Sequence, residues 1–181
     1  MTDLRMETFD PVRDVEELHA WVVADRARFW MMQDHTVDEV REIYTWLHEQ
    51  PTHHVWWVVE GEQRVALLQD YLPEADEVGE HYPVRPGDLG VHLMLAEGGA
   101  RRPGFTAEVA AFGLEWCFAQ PEVQRLVVEP DARNDKALAR ATRMGFTLGD
   151  VVQLSTKPAQ LGFLTRETYE AWRSLAKNAS A

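Results

Sequence analysis

Hydrophobic positions recur along the chain with two periods, and the changes from one to the other lay out its elements. Residues 1–10 read as a short strand. After Asp14, the apolar residues Val15, Leu18, Trp21 and Val22 return at three- and four-residue spacing, which predicts a helix with one buried stripe. Thr36 and Glu39 form a capping box that opens a second helix, carrying Val40, Ile43, Tyr44 and Leu47 to a stop before Pro51. From His53 to Leu72 the pattern changes to a β-branched and aromatic run, a polar break at Glu60-Gly61-Glu62-Gln63, and a second apolar run. That is the layout of an antiparallel hairpin.

Pro73 to Gly90 is rich in Pro, Gly, Glu and Asp without an apolar period, and is expected to be a long loop. A strand at Gly90–Ala96, a loop at Gly98–Phe105 and a helix at Thr106–Ala119 follow in series. Next come a buried strand at Gln124–Glu129, an amphipathic helix at Asn134–Met144 stopped by Gly145, and a strand at Phe146–Leu154. Residues 161–164 are placed as a last strand before a C-terminal helix. This order implies an α/β (α+β) fold with a mixed central sheet and helices on both faces. At 181 residues, without a fixed-period repeat or an interdomain linker, one domain spanning 1–181 is expected.

Charge and composition narrow the partners. A net charge of -12 opposes a broad nucleic-acid footprint or an anionic membrane surface and favours a small cationic substrate. With one cysteine, Cys117, there is no intramolecular disulfide, and it sits on a predicted helix as a small buried residue rather than a nucleophile. The N-terminal residues lack the layout of a signal peptide and no apolar run is long enough to span a bilayer, so a cytoplasmic location is expected. His35, His48, His53 and His54 share no metal-ligand spacing, and no metal is expected.

The candidate chemistry begins at Arg101-Arg102-Pro103-Gly104-Phe105-Thr106, between a strand and a helix. There, free backbone N–H groups and the helix dipole favour an anion. Two arginines reinforce that field, Gly104 permits close backbone approach, and Thr106 is placed to cap the helix and offer its hydroxyl. Alone, these six residues equally describe an ordinary basic turn. The loop is similar to the Arg/Gln-x-x-Gly-x-Gly/Ala signature of GNAT acetyltransferases, with Arg101 and Gly104 in register and Thr106 in place of the usual small residue. Downstream, Asn134 and Met144-Gly145-Phe146 resemble the GNAT segment in which an Asn opens a helix beside the pantetheine arm. The resemblance implies a sheet of about seven strands and an acyl-CoA held by Arg101, Arg102, Gly104, Phe105, Thr106 and Asn134.

A narrower resemblance is to the acyltransferases of hydroxamate siderophore biosynthesis, of the mycobactin, aerobactin, alcaligin and desferrioxamine types. It is carried by Leu18-His19-Ala20-Trp21, Arg28-Phe29-Trp30, His81-Tyr82, Pro86-Gly87-Asp88, Gly90-Val91-His92-Leu93, Glu129-Pro130-Asp131 and Arg133-Asn134. Phe29 to His35 looks most like the desferrioxamine type. His92 lies within an apolar strand, opposite in facing to Val91 and Leu93, and a neutral imidazole suits a general base. Asp131 follows the next strand, where it would orient His92 or bind an ammonium; from the residues alone, a hydrogen-bonded core histidine and a turn aspartate are equally open readings. The matching pair is regarded as catalytic in the mycobactin-type enzymes.

The backbone N–H of Leu93 or Met94 is the expected oxyanion donor, and Trp30 and His53 are expected to line the acceptor site. The implied reaction is acyl transfer from acetyl-CoA or succinyl-CoA to a hydroxylamine such as N-hydroxycadaverine, by a monomer or homodimer. N6-hydroxylysine, whose carboxylate would call on Arg85 or Lys157, and an aminoglycoside or polyamine are the alternative acceptors. A sensor that binds acyl-CoA without turnover is the alternative of another class.

Overall fold

A computed structural model describes the backbone of residues 3–96 and 102–179. The elements are β1 (Leu4–Thr8), α1 (Val15–Val22), α2 (Val37–Glu49), β2 (His53–Glu60), β3 (Gln63–Tyr71), β4 (Asp88–Leu95), α3 (Phe105–Phe118), β5 (Arg125–Val128), α4 (Asp135–Arg143), β6 (Thr147–Gln153), β7 (Pro158–Thr165) and α5 (Arg166–Ala179). The strands form one mixed seven-stranded sheet in the order β1-β2-β3-β4-β5-β7-β6. The residues fall into two compact units, Met1–Tyr71 with His92–Leu114, and Leu72–Val91 with Glu115–Ala181.

In the first unit, β1, β2 and β3 pair antiparallel, and Gly61 makes the β2–β3 turn with φ +58°. Alternation sends Val55, Trp57 and Val59 of β2 into one core with Leu67 of β3, Val15, Leu18, Trp21 and Val22 of α1, and Val40 and Tyr44 of α2. Aromatic packing ties these layers, with Trp21 edge-on to Trp57 at 4.9 Å and Phe9 at 5.3 Å from Tyr44. The capping box of α2 forms in both directions, Glu39 N–H to Thr36 Oγ1 at 3.3 Å and Thr36 N–H to Glu39 Oε2 at 2.7 Å. A 3₁₀ turn at Asp25–Trp30, which no hydrophobic period announced, carries Trp30 and ends at Met31 with φ +63°.

In the second unit, β5 pairs parallel with the start of β4 and antiparallel with β7, and β7 pairs with β6. The strand expected at 161–164 is thus longer and lies inside the sheet, between β5 and β6. The expected loop from Pro73 contains short 3₁₀ turns at Pro73–Ala75 and Glu77–Glu80, and β4 begins at Asp88 rather than Gly90. Asp88 explains that early start. Its buried carboxylate binds Arg125 Nε at 2.7 Å and Nη2 at 2.6 Å, and accepts from Tyr82 Oη and Arg85 N–H, so the loop and both strand ends meet on one anion.

Candidate active site

β4 places the central residue. Its ladder with β5 runs from Asp88↔Arg125 to Gly90↔Val127, and the strand then continues five residues further, to Leu95. His92 lies in this extension, half-buried, on the face it shares with Gln69 and Tyr71 of β3. Its Nδ1 is 3.1 Å from Gln69 Oε1. The amide N–H of Gln69 donates to the Tyr44 hydroxyl at 2.9 Å, and the Trp30 indole N–H donates to the same oxygen at 3.3 Å. Burial pushes the Tyr44 phenol up to about 12, against the opposing effect of these two hydrogen bonds, so the hydroxyl stays neutral.

The rings around His92 form a row. Trp30 meets it edge-on at 5.9 Å, and Tyr71 lies 5.1 Å away on a tilt. Tyr71 stacks on His53 at 5.7 Å, and Trp46 stands 5.9 Å beyond His53. Of the two residues expected to line the acceptor site, Trp30 therefore touches His92 directly, while His53 is one ring removed and bonds Thr52 Oγ1 through Nδ1 at 3.0 Å. Tyr44, Gln69 and Tyr71 were not singled out as site residues. Gln69, a polar residue that follows the apolar run Val65–Leu68, is the available signal. His19, part of the Leu18–Trp21 motif, bonds the His35 carbonyl oxygen through Nε2 at 2.9 Å and so fixes the chain after Trp30.

Asp131 belongs to the second unit. Its buried carboxylate accepts from Arg133 Nε at 2.9 Å, Arg133 Nη2 at 2.6 Å and the Arg133 backbone N–H at 2.8 Å. The Arg133 guanidinium holds this carboxyl below the usual carboxylate range, outweighing burial, which acts in the opposite direction. Asn134 caps α4, its Oδ1 accepting from Ala137 N–H at 3.2 Å, and Gly145 ends that helix with φ +90°, as its sequence implied.

At the anion loop, Arg101 lies outside the described residues. Gly104 has φ +83° with open space where a Cβ would project, and α3 starts at Phe105. Thr106 is therefore the second residue of the helix and not its cap, because Gly104 supplies the non-helical conformation two residues before it. The first turn of α3 offers the N–H groups that a helix cannot pair internally, which fits a pyrophosphate. Phe105 is buried beneath the Arg102 guanidinium, 4.7 Å from its ring, and its backbone N–H donates to the Arg102 carbonyl oxygen at 3.1 Å. Arg102 itself binds Glu60 at 2.9 Å and Glu108 at 2.6 Å. Among the described residues, no cluster of three or more His, Cys, Asp or Glu is arranged to hold a metal ion, and no helix is long and apolar enough to cross a membrane.

A family model for the acetyltransferase (GNAT) domain matches residues 10–154. The chain belongs to this family. Among curated proteins, this GNAT chain is similar to the N(6)-hydroxylysine O-acetyltransferase of Escherichia coli, at 26% identity over 141 residues. The match takes in 76% of this chain and 44% of that relative, so the chain spans less than half of the relative's length. Among solved structures, an uncharacterised protein from Bacillus halodurans superposes with a TM-score of 0.88 at 19% identity, covering 97% of this chain and 91% of that one. An aminoglycoside acetyltransferase in complex with coenzyme A gives 0.81 at 21% identity, covering 94% and 99%. A spermidine N-acetyltransferase from Vibrio cholerae, in complex with CoA and spermine, gives 0.69 at 13% identity, covering 92% and 98%. These structural likenesses establish the GNAT fold.

Proposed function

We propose that this GNAT enzyme acylates the hydroxylamine nitrogen of an N-hydroxydiamine such as N-hydroxycadaverine, giving a hydroxamate for siderophore assembly. The observation that carries the reading is His92, set among aromatic rings with Nδ1 3.1 Å from Gln69 Oε1. The Escherichia coli relative, named for an N-hydroxylated amine, supports the acceptor class. The net charge of -12 supports a cationic acceptor over an anionic one.

In this mechanism the acyl-CoA pyrophosphate lies at the N-terminus of α3, held by Arg101, Arg102, Gly104, Phe105 and Thr106, with Asn134 beside the pantetheine arm. The donor is acetyl-CoA or succinyl-CoA. The hydroxylamine nitrogen attacks the thioester carbonyl carbon, and the carbonyl electron pair moves onto oxygen, where the backbone N–H of Leu93 or Met94 stabilises it. His92 Nε2 takes the proton from the attacking nitrogen. Collapse re-forms the carbonyl and breaks the C–S bond, and the departing thiolate receives that proton from His92 to leave as CoA thiol. A hydroxylamine is largely neutral at physiological pH, so orientation contributes more than base strength. Trp30 and His53 line the acceptor; Asp131, kept ionised by Arg133, carries the negative charge proposed for an ammonium. The enzyme acts in the cytoplasm as a monomer or homodimer.

The test is CoA-thiol release by the purified protein with acetyl- or succinyl-CoA, offered N-hydroxycadaverine, N6-hydroxylysine or kanamycin, for wild type and His92→Ala. Release with N-hydroxycadaverine that disappears in the variant is expected. Release with kanamycin alone would replace the acceptor class, and undiminished turnover in the variant would remove His92 as the base.

A further inference from the structure

We infer that Gln69 and Tyr44 are positioning residues that set the tautomer of His92, holding the proton on Nδ1 so that Nε2 is the nitrogen that accepts. This rests on the reading of His92 as the base. A histidine can take a proton at Nε2 only if that nitrogen does not already carry one, so whatever meets Nδ1 decides whether the ring is a base or a donor there.

Four side chains make the decision. Trp30 Nε1–H is an obligate donor and occupies one lone pair of the Tyr44 oxygen at 3.3 Å. The Gln69 amide N–H donates to the same oxygen at 2.9 Å, which turns its carbonyl oxygen toward His92, 3.1 Å from Nδ1. Tyr44 is wholly buried within the first unit's core, on α2, and Gln69 is half-buried on β3. The anchor of the amide is thus rigid, and the group it orients lies at the edge of the site. Only this orientation also tolerates the imidazolium formed after proton transfer, because Nδ1 must then still donate. The reversed amide, with Tyr44 Oη–H donating to Oε1 and the Gln69 N–H donating to Nδ1, would fix the proton on Nε2 and oppose protonation.

Long-range ¹H–¹⁵N correlation spectra of the imidazoles read the tautomer directly, with the His92 signals assigned by their loss in His92→Ala. At a pH where the ring is neutral, wild type is expected to show the Nδ1–H pattern. Gln69→Met, close in shape but without an acceptor for Nδ1–H, is expected to move His92 toward Nε2–H and to lower kcat by about 10- to 100-fold, leaving the acyl-CoA KM within about twofold. Gln69→Glu keeps an acceptor, and is expected to retain Nδ1–H and most of the activity. Tyr44→Phe, which removes the anchor but leaves Gln69, is expected to give a mixture of tautomers. An Nε2–H pattern in wild type, or an unchanged Nδ1–H pattern in Gln69→Met, would overturn the inference. Turnover that survives in His92→Ala would instead strike the base reading, whatever the spectra show.

Discussion

Asp14 offers the most demanding test of how the first unit is held, since one buried carboxylate there serves five donors. Oδ1 accepts from Arg13 Nε at 2.7 Å and Arg64 Nη2 at 2.6 Å, and Oδ2 accepts from Asp10 N–H at 2.9 Å, Arg13 Nη2 at 2.6 Å and Trp57 Nε1 at 3.1 Å. Asp14→Asn keeps the shape but turns one oxygen into a donor, so a donor faces a donor in either amide orientation. If Oδ1 is retained, the wholly buried Trp57 indole loses its acceptor. If Oδ2 is retained, the Arg64 guanidinium loses one, although it keeps Glu17 at 2.6 Å. Arg13, with a side chain 59% exposed, can turn to water and adds little. One lost charge-assisted hydrogen bond and one opposed buried donor together cost about 3 kcal/mol.

The pH dependence of this contribution follows from the same donors. Burial pushes the Asp14 carboxyl up, but the hydrogen bonds from Arg13, Asp10, Arg64 and Trp57 outweigh it and hold the group well below its ordinary 3.8. A depressed carboxyl contributes stability that is present above the unfolded value and lost as pH falls through the folded one. Urea denaturation followed by tryptophan fluorescence should therefore separate wild type from Asp14→Asn by about 3 kcal/mol at pH 7, and the gap should narrow as pH is lowered below about 4. A gap under about 1 kcal/mol at neutral pH, or one that does not narrow in acid, would refute the assignment of Asp14 as an ionised hub.

Three other outcomes are expected. Glu108→Gln removes an anion from the first turn of α3 and releases Arg102 from one partner, so it should tighten acyl-CoA binding by about two- to fivefold in isothermal titration; weaker binding would show that Glu108 orients Arg102 productively. Asp88→Ala strands the half-buried Arg125 guanidinium and should cost about 3 kcal/mol in urea denaturation, whereas a change below about 1 kcal/mol would mean that the pair is replaceable by solvent. Gly79→Ala would put a Cβ 2.1 Å from the Pro73 carbonyl oxygen, so the 3₁₀ turns must open. The expected loss is about 1–3 kcal/mol in thermal unfolding, and an unchanged Tm would show that this backbone yields freely.

The elements that could be read in advance share a local cause. The capping box at Thr36, the helix stop at Gly145 and the turn at Gly61 are each settled by residues within four positions of one another, and all three form as their sequence implied. The candidate site divides on the same line. The strand alternation that set His92 opposite Val91 and Leu93 is local, and it put the imidazole on the face it shares with Gln69 and Tyr71. Its partners were not legible, since Gln69 is 23 positions away and Tyr44 reaches it through Gln69 and Trp30. The partner of Arg102 in the loop was likewise not legible, since Glu60 lies 42 positions back in the chain.

The sequence by itself determined which segments are helix or strand, which face of each is apolar, and, through its motifs, the GNAT family, because periodicity, caps and signature residues are properties of neighbouring positions. The tertiary structure alone decided that β7 lies between β5 and β6, that Asp88 pairs with Arg125, and that a buried tyrosine and a glutamine stand behind His92. Strand order and the partner of each polar group depend on which distant segments pack together, and that choice is made by burial and hydrogen-bond satisfaction over the whole sheet.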